Sequence, residues 1–196
     1  GIGKSTAINL LSGSLRPNLG DWVNPPPNWE EVITTFPRGE LRDYLGLVSE
    51  GDVSIAVKPQ YIDKLPRIFE GLVSDLLDRV DDRDEIGKYS ELMGIAHIQD
   101  RKLRDLSGGE LQRVAICATL LKEADVYFFD EPSSYLDIYE RMRMVGVVRD
   151  LTERGKRVLV VEHDLAILDV LCDLVHVIYG ERSAYGIFTP PRSTRR

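Results

Sequence analysis

Three short runs of this chain hold side chains suited to phosphate chemistry. Gly3-Lys4-Ser5-Thr6 stands before an apolar helix face of Ala7, Ile8, Leu10 and Leu11. It is the second half of the pattern G-x-x-x-x-G-K-[ST], in which backbone amides cradle phosphates, the lysine meets the β and γ phosphates and the serine hydroxyl ligates Mg2+. On that pattern Gly1, Ile2, Gly3, Lys4, Ser5 and Thr6 bind the phosphates, and Ser5 is also a metal ligand. Ser107-Gly108-Gly109-Glu110 reads as a cap and a helix start, with Glu110 completing a capping box three residues after Ser107. Amides at such a terminus, with the positive end of the helix dipole, suit an anion. Alone, the run is equally an ordinary capped helix.

The third run decides between those readings. Val126-Tyr127-Phe128-Phe129 followed by Asp130-Glu131 predicts a strand buried on both faces, delivering two carboxylates to its carboxyl end. Ligands of α/β sheets bind at that end. Triphosphate hydrolysis needs a metal ion to spread charge, a positioned water and a group to take its proton. Asp130 suits the metal, through its water shell, and Glu131 suits the base.

Signature run, acidic strand and the following Pro132-Ser133-Ser134-Tyr135-Leu136-Asp137 together resemble an ABC-type ATPase. The form of residues 129–137 is close to the E subfamily, the ribosome-recycling factor also called RNase L inhibitor, and fits the first of its two nucleotide-binding halves. Transporter ATPases usually carry a smaller residue where Tyr135 stands. The resemblance implies an α/β fold of the P-loop NTPase type, a mostly parallel sheet flanked by helices plus a small helical lobe. It implies ATP and Mg2+ as cofactors. It also implies roles for Gln60, as a Q-loop amide reaching the metal and the attacking water, and for His163, as a switch contacting the γ-phosphate and Glu131. Ser107, Gly108, Gly109 and Glu110 would serve ATP on the facing half, and Asp137 would link the two sites. The implied partners are a second nucleotide-binding half and, in the whole protein, the small ribosomal subunit and a release factor, in the cytoplasm and with no membrane. Tyr139-Glu140 departs from the more basic or amide pair expected ahead of Arg141.

These side chains need elements to position them. Trp29, Val32, Ile33 and Phe36, then Leu41, Tyr44 and Leu45, predict a helix, a turn at Pro37-Arg38-Gly39 and a second helix. This matches the family's insert, which faces the small subunit; Arg38 and Arg42 are its basic residues. Residues 53–57 predict a strand that Lys58-Pro59-Gln60 closes. Residues 65–104 show helical spacing. Leu111, Val114, Ala115, Ala118 and Leu121 form a helix face, with Arg113 pointing elsewhere. Residues 138–155 predict a helix with Met142, Val145, Val148, Leu151 and Thr152 inward. Arg157 to Asp164 predicts a second buried strand, ending in His163, Leu174, Val175, Val177 and Ile178 a third with His176 packed, and residues 185–189 a last one. The expected division is residues 1–65 and 106–196 as the ATP-binding lobe, with an insert at 21–46, and residues 66–105 as the helical lobe.

At 196 residues and 43% hydrophobic the chain can bury the core of one domain. A net charge of −7 opposes non-specific nucleic-acid binding, which needs a positive field, so any RNA contact must be local. No apolar run reaches the roughly 20 residues of a membrane span. Two cysteines, Cys117 and Cys172, have no metal spacing, and nothing here matches the family's iron–sulfur domain. The phosphate-binding pattern is cut at residue 1. The expectation is a fragment that lacks the strand before that loop, binds ATP weakly by itself and is inactive alone; tight binding in a nucleotide titration of residues 1–196 contradicts it. Two other classes share the motifs: the ATPase subunit of a membrane transporter, and a nucleotide-responsive binding module without real turnover, which Glu131 argues against.

Overall fold

A computed structural model describes residues 3–21, 23–181 and 185–194. The predicted Gly1 and Ile2 contacts lie outside them. Backbone proximity divides the chain into two compact units, residues 1–55 with 176–190 and residues 56–175 with 191–196.

The first unit holds α1 (Lys4–Leu11), α2 (Trp29–Thr35), α3 (Glu40–Glu50) and a late hairpin. Gly13, at φ 72°, follows the end of α1 in the left-handed region that glycine tolerates best. Asn28 caps α2 by accepting from the Glu31 amide at 2.8 Å. Val32 and Leu45 are fully buried and Ile8 nearly so, so the predicted insert helices pack through single apolar residues rather than a broad face. The Tyr44 hydroxyl donates to the Leu11 carbonyl at 2.8 Å, which ties α3 to the end of α1. Arg38 is exposed and Arg42 half-buried.

The second unit is built on a sheet ordered β1-β2-β3, from β1 (Ile55–Lys58), β2 (Val126–Asp130) and β3 (Arg157–Val161). β2 and β3 are parallel, with Asp130 beside Val161. Every residue of β2 is buried, as its unbroken apolar run predicts. α4 (Leu65–Ile68), α5 (Val73–Val80) and α6 (Ile86–Leu92) lead to α7 (Gly108–Leu120), then α8 (Ile138–Glu153) and α9 (Leu165–Leu171). One apolar cluster joins them, with Leu77, Tyr89, Met93, Ile116, Leu120, Phe129 and Leu151 fully buried. No helix among the described residues is long and apolar enough to cross a membrane.

Several expectations need correction. β1 begins two residues late and includes Lys58, whose side chain is fully buried. β3 stops at Val161, two residues before the expected end at His163, and it is not buried on both faces: it is an edge of the described sheet, and Leu159 is 46% exposed. In α8 the inward line is Met144, Val145, Val147, Val148 and Leu151, while Met142 and Thr152 face outward. The single strand expected over 174–178 is two. β4 (Leu174–Val175) pairs with β7 (Arg192–Ser193), whereas β5 (Ile178–Glu181) pairs with β6 (Tyr185–Phe188) in the first unit's hairpin. His176 is exposed rather than packed, its Nδ1 2.8 Å from the Thr189 carbonyl oxygen.

The contrast between β3 and the inner elements is measurable. Leu120→Ala should cost about 2–5 kcal/mol in denaturant unfolding, as a buried truncation does, and Leu159→Ala about 1 kcal/mol or less.

Candidate functional site

Gly3 precedes α1 at φ 98° and ψ 4°, left-handed backbone that an L-residue adopts only with strain. A Cβ there would meet nothing within 4 Å, so the space before the helix is open. First-turn amides of a helix have no partner within it and point toward this end. Lys4 is half-buried, and Ser5 and Thr6 are exposed. Those residues belong to the first unit, whereas the remaining candidates lie in the second.

In the second unit, Asp130 ends β2 only 4% exposed. Glu131 follows at φ 48°, a left-handed conformation costing a non-glycine residue roughly 1–2 kcal/mol. Its amide donates to the Val161 carbonyl at 2.9 Å. The fully buried Gln112, on α7, donates from Nε2 to the Glu131 carbonyl at 3.0 Å and the Pro132 carbonyl at 2.8 Å. Net contributions of about 0.5–1.5 kcal/mol per bond are enough to offset the strained backbone. The turn brings the Glu131 carboxylate to His163, with Nε2 3.0 Å from Oε1. An ionised carboxylate only accepts, so the imidazole N–H is the donor and Oε2 is left for another group. Glu162 holds the adjoining loops, accepting from the Ser133 amide at 2.8 Å and the His163 amide at 3.1 Å. The predicted Glu131 and His163 are therefore in contact. Gln60 is half-buried in the loop after β1.

The capping box at the head of α7 has both bonds: Ser107 Oγ accepts from the Glu110 amide at 3.3 Å, and Glu110 Oε2 accepts from the Ser107 amide at 2.7 Å. Arg101 pairs with the other oxygen of Glu110 at 2.7 Å. The Ser107 backbone bond, with help from Arg101, holds the Glu110 carboxyl below its ordinary pKa. Ser107 and Gly108 are exposed and Gly109 half-buried. Both glycines also let Tyr135 approach closely within the chain. A Cβ on Gly108 would meet the Tyr135 ring at 3.2 Å, and one on Gly109 the Tyr135 carbonyl oxygen at 3.0 Å.

Asp137 caps α8 through a second box, accepting from the Glu140 amide at 2.9 Å while Glu140 accepts the Asp137 amide at 3.0 Å. This accounts for the unexpected Glu140. It also pairs with Arg113 of α7 at 3.1 Å, so Arg113, half-buried and off the apolar face, ties α7 to α8. The Asp-x-x-Glu spacing at 137–140 is itself a helix-start signal in the sequence.

Lys58 was missed entirely. Its Nζ donates to the Asp130 carbonyl at 3.0 Å and lies 3.5 Å from the Glu131 carbonyl. Burial lowers its pKa to about 8, against the opposing pull of Asp130, Glu162 and Glu131. Cys117 is the reverse case, a thiol that burial pushes up to about 12.

The sequence profile described as "ABC transporter" matches residues 1–134, and the chain belongs to that family of ATPase domains. Within the family it resembles the E branch along its whole length. It is 46% identical over 198 residues to "Translation initiation factor RLI1" of Chaetomium thermophilum, covering 100% of this chain and 32% of that one. The solved complex of archaeal ribosomal stalk protein aP1 and the archaeal ribosome recycling factor aABCE1 superposes with a TM-score of 0.94 at 47% identity, over 100% of this chain and 37% of that chain. A model of ribosome-bound archaeal Pelota and ABCE1 gives 0.88 at 48% identity, over 100% and 32%. The fold is thus the ABC-type P-loop NTPase fold, and the chain spans about a third of the length of these relatives.

The first box makes a pH prediction. A carboxyl whose folded pKa is depressed contributes stability above its unfolded pKa, and that contribution is lost as pH falls through the folded value. Glu110→Gln should therefore shallow the acid limb of the stability curve below the ordinary carboxylate pKa while Ser107→Ala costs about 1 kcal/mol at neutral pH, both read from denaturant midpoints.

Proposed function

We propose that this chain is the ATP-binding and ATP-hydrolysing half of a ribosome-recycling factor, which splits ribosomal subunits when two nucleotide-binding halves close on ATP. The observation that carries the hydrolytic part is the Glu131–His163 contact beside the buried Asp130 carboxylate. ATP is held by the Gly3 turn and the α1 amides, with Lys4 on the β and γ phosphates and Thr6 at the same helix start. Ser5, through its hydroxyl, Gln60, through its amide oxygen, and Asp130, through water, would serve Mg2+, which would spread the charge of the phosphates. This all-oxygen donor set suits a hard cation. Among the described residues no three His, Cys, Asp or Glu gather as a metal site. Mg2+ does not require one, because it binds through one or two protein ligands together with phosphates and water.

Glu131 takes the proton of the attacking water on Oε2 while His163 holds Oε1. His163 and Gln60 sense the γ-phosphate. Ser107, Gly108, Gly109 and Glu110, displayed at the head of α7, close on ATP of the facing half, with Asp137 relaying between sites. Residues 66–105 act as the helical lobe of that movement, and residues 1–65 with 106–196 as the nucleotide lobe. The relatives' ribosomal contexts support cytoplasmic work with the small subunit and a release-type factor. The exposed Tyr135, seated against the signature glycines, favours this reading over a transporter subunit.

Glu131→Gln in the whole protein should lower turnover about 100-fold or more, the usual range for losing a general base, while leaving ATP binding intact. Measured by phosphate release and equilibrium binding, undiminished turnover contradicts the assignment.

A further inference from the structure

Lys58 is the one fully buried lysine among the described residues, and it lies within the site's own framework. Burying an ammonium is costly unless it is paired and hydrogen-bonded, so its place needs a reason. Two carbonyls face its Nζ: that of Asp130 at 3.0 Å and that of Glu131 at 3.5 Å. Successive carbonyls of a regular strand point to opposite sides, so one donor cannot serve both. Here they approach the same donor because Glu131 has left strand geometry for φ 48°. Three carboxylates, of Asp130, Glu162 and Glu131, lie close enough to interact with the ammonium charge.

We propose that Lys58 is a positioning residue for hydrolysis, fastening the Asp130-Glu131 elbow in its left-handed turn from the β1 side while Gln112 fastens it from α7. The two donors meet at the Glu131 carbonyl, at 3.5 Å and 3.0 Å. Lys58 sits two residues before Gln60 in the chain, so the loop after β1 starts from a residue anchored on the Asp130-Glu131 backbone. A neutral aliphatic side chain of the same length fills the slot but leaves both carbonyls without this donor and the carboxylates without their cation.

The inference rests on Glu131 being the base, so the test runs three variants of the whole protein side by side. Lys58→Met should lower kcat on the order of 10- to 100-fold, as small misplacements of reacting groups do, with KM for ATP changed by no more than about threefold. Lys58→Gln, which keeps a donor, should recover part of that loss. Glu131→Gln sets the floor. If Glu131→Gln keeps full turnover, the base assignment fails. If it abolishes turnover while folded Lys58→Met stays within about twofold of the parent, or loses kcat only in step with its folded fraction by circular dichroism, the positioning role fails. Should Lys58→Met not fold, Lys58→Gln decides by the same split: a kcat loss at constant KM supports the role, and unchanged kcat overturns it.

Discussion

The site depends on a turn taken by one residue. β2 is a strand with no exposed face, and such a strand can present carboxylates to a ligand only at its end. Asp130 is still within the ladder and remains nearly covered. Glu131 escapes the sheet by adopting φ 48°, and only that departure brings its carboxylate within 3.0 Å of His163. Left alone, a non-glycine residue would relax out of this conformation. It persists because the backbone around it is held from several directions, by Val161 of β3, Gln112 of α7 and Lys58 of β1. Each of those donors or acceptors sits on a different element, so the elbow registers the arrangement of the whole second unit.

The helices around the elbow are joined by similar means. Glu140 serves the α8 cap and, through Arg113, the body of α7, whose other arm reaches the Met93 and Gly94 carbonyls at 3.2 Å and 2.7 Å. Arg141 continues the line, binding the Leu136 carbonyl at 3.0 Å and Asp164 at 2.8 Å, and Asp164 itself caps α9. The segment with the signature glycines, the loop with Asp137 and the loop with His163 are thereby tied through partly buried polar contacts. Tyr135, left-handed at φ 65°, packs its ring over Gly108 within this arrangement.

What the sequence made legible was whatever acts locally. The Ser107–Glu110 box, the buried β2 run and the insert helices each depend on residues within a few positions of one another, and each is present. The neighbourhood of Glu131 and His163 was legible only through resemblance to a family, since 32 positions separate them. Lys58 was illegible: a lysine before a proline looks like the polar end of a strand, and nothing local shows that Asp130, 72 residues on, offers it a carbonyl. β3 misled because an apolar run reads the same whether one face or two are covered. The 174–178 run misled because apolar residues on both sides of His176 hid a change of partner, one half pairing with Arg192–Ser193 and the other with Tyr185–Phe188.

The proposal that the rest depends on is that Glu131, fastened in its turn and paired with His163, is the base for the water that attacks ATP. A crystal structure of the whole protein with Mg2+ and a non-hydrolysable ATP analogue tests it most directly. The account predicts the γ-phosphate at the Glu131–His163 pair, with an ordered water between it and Glu131 Oε2. A nucleotide bound away from the Glu131–His163 pair, or a γ-phosphate with Glu131 beyond reach of its water, would contradict it.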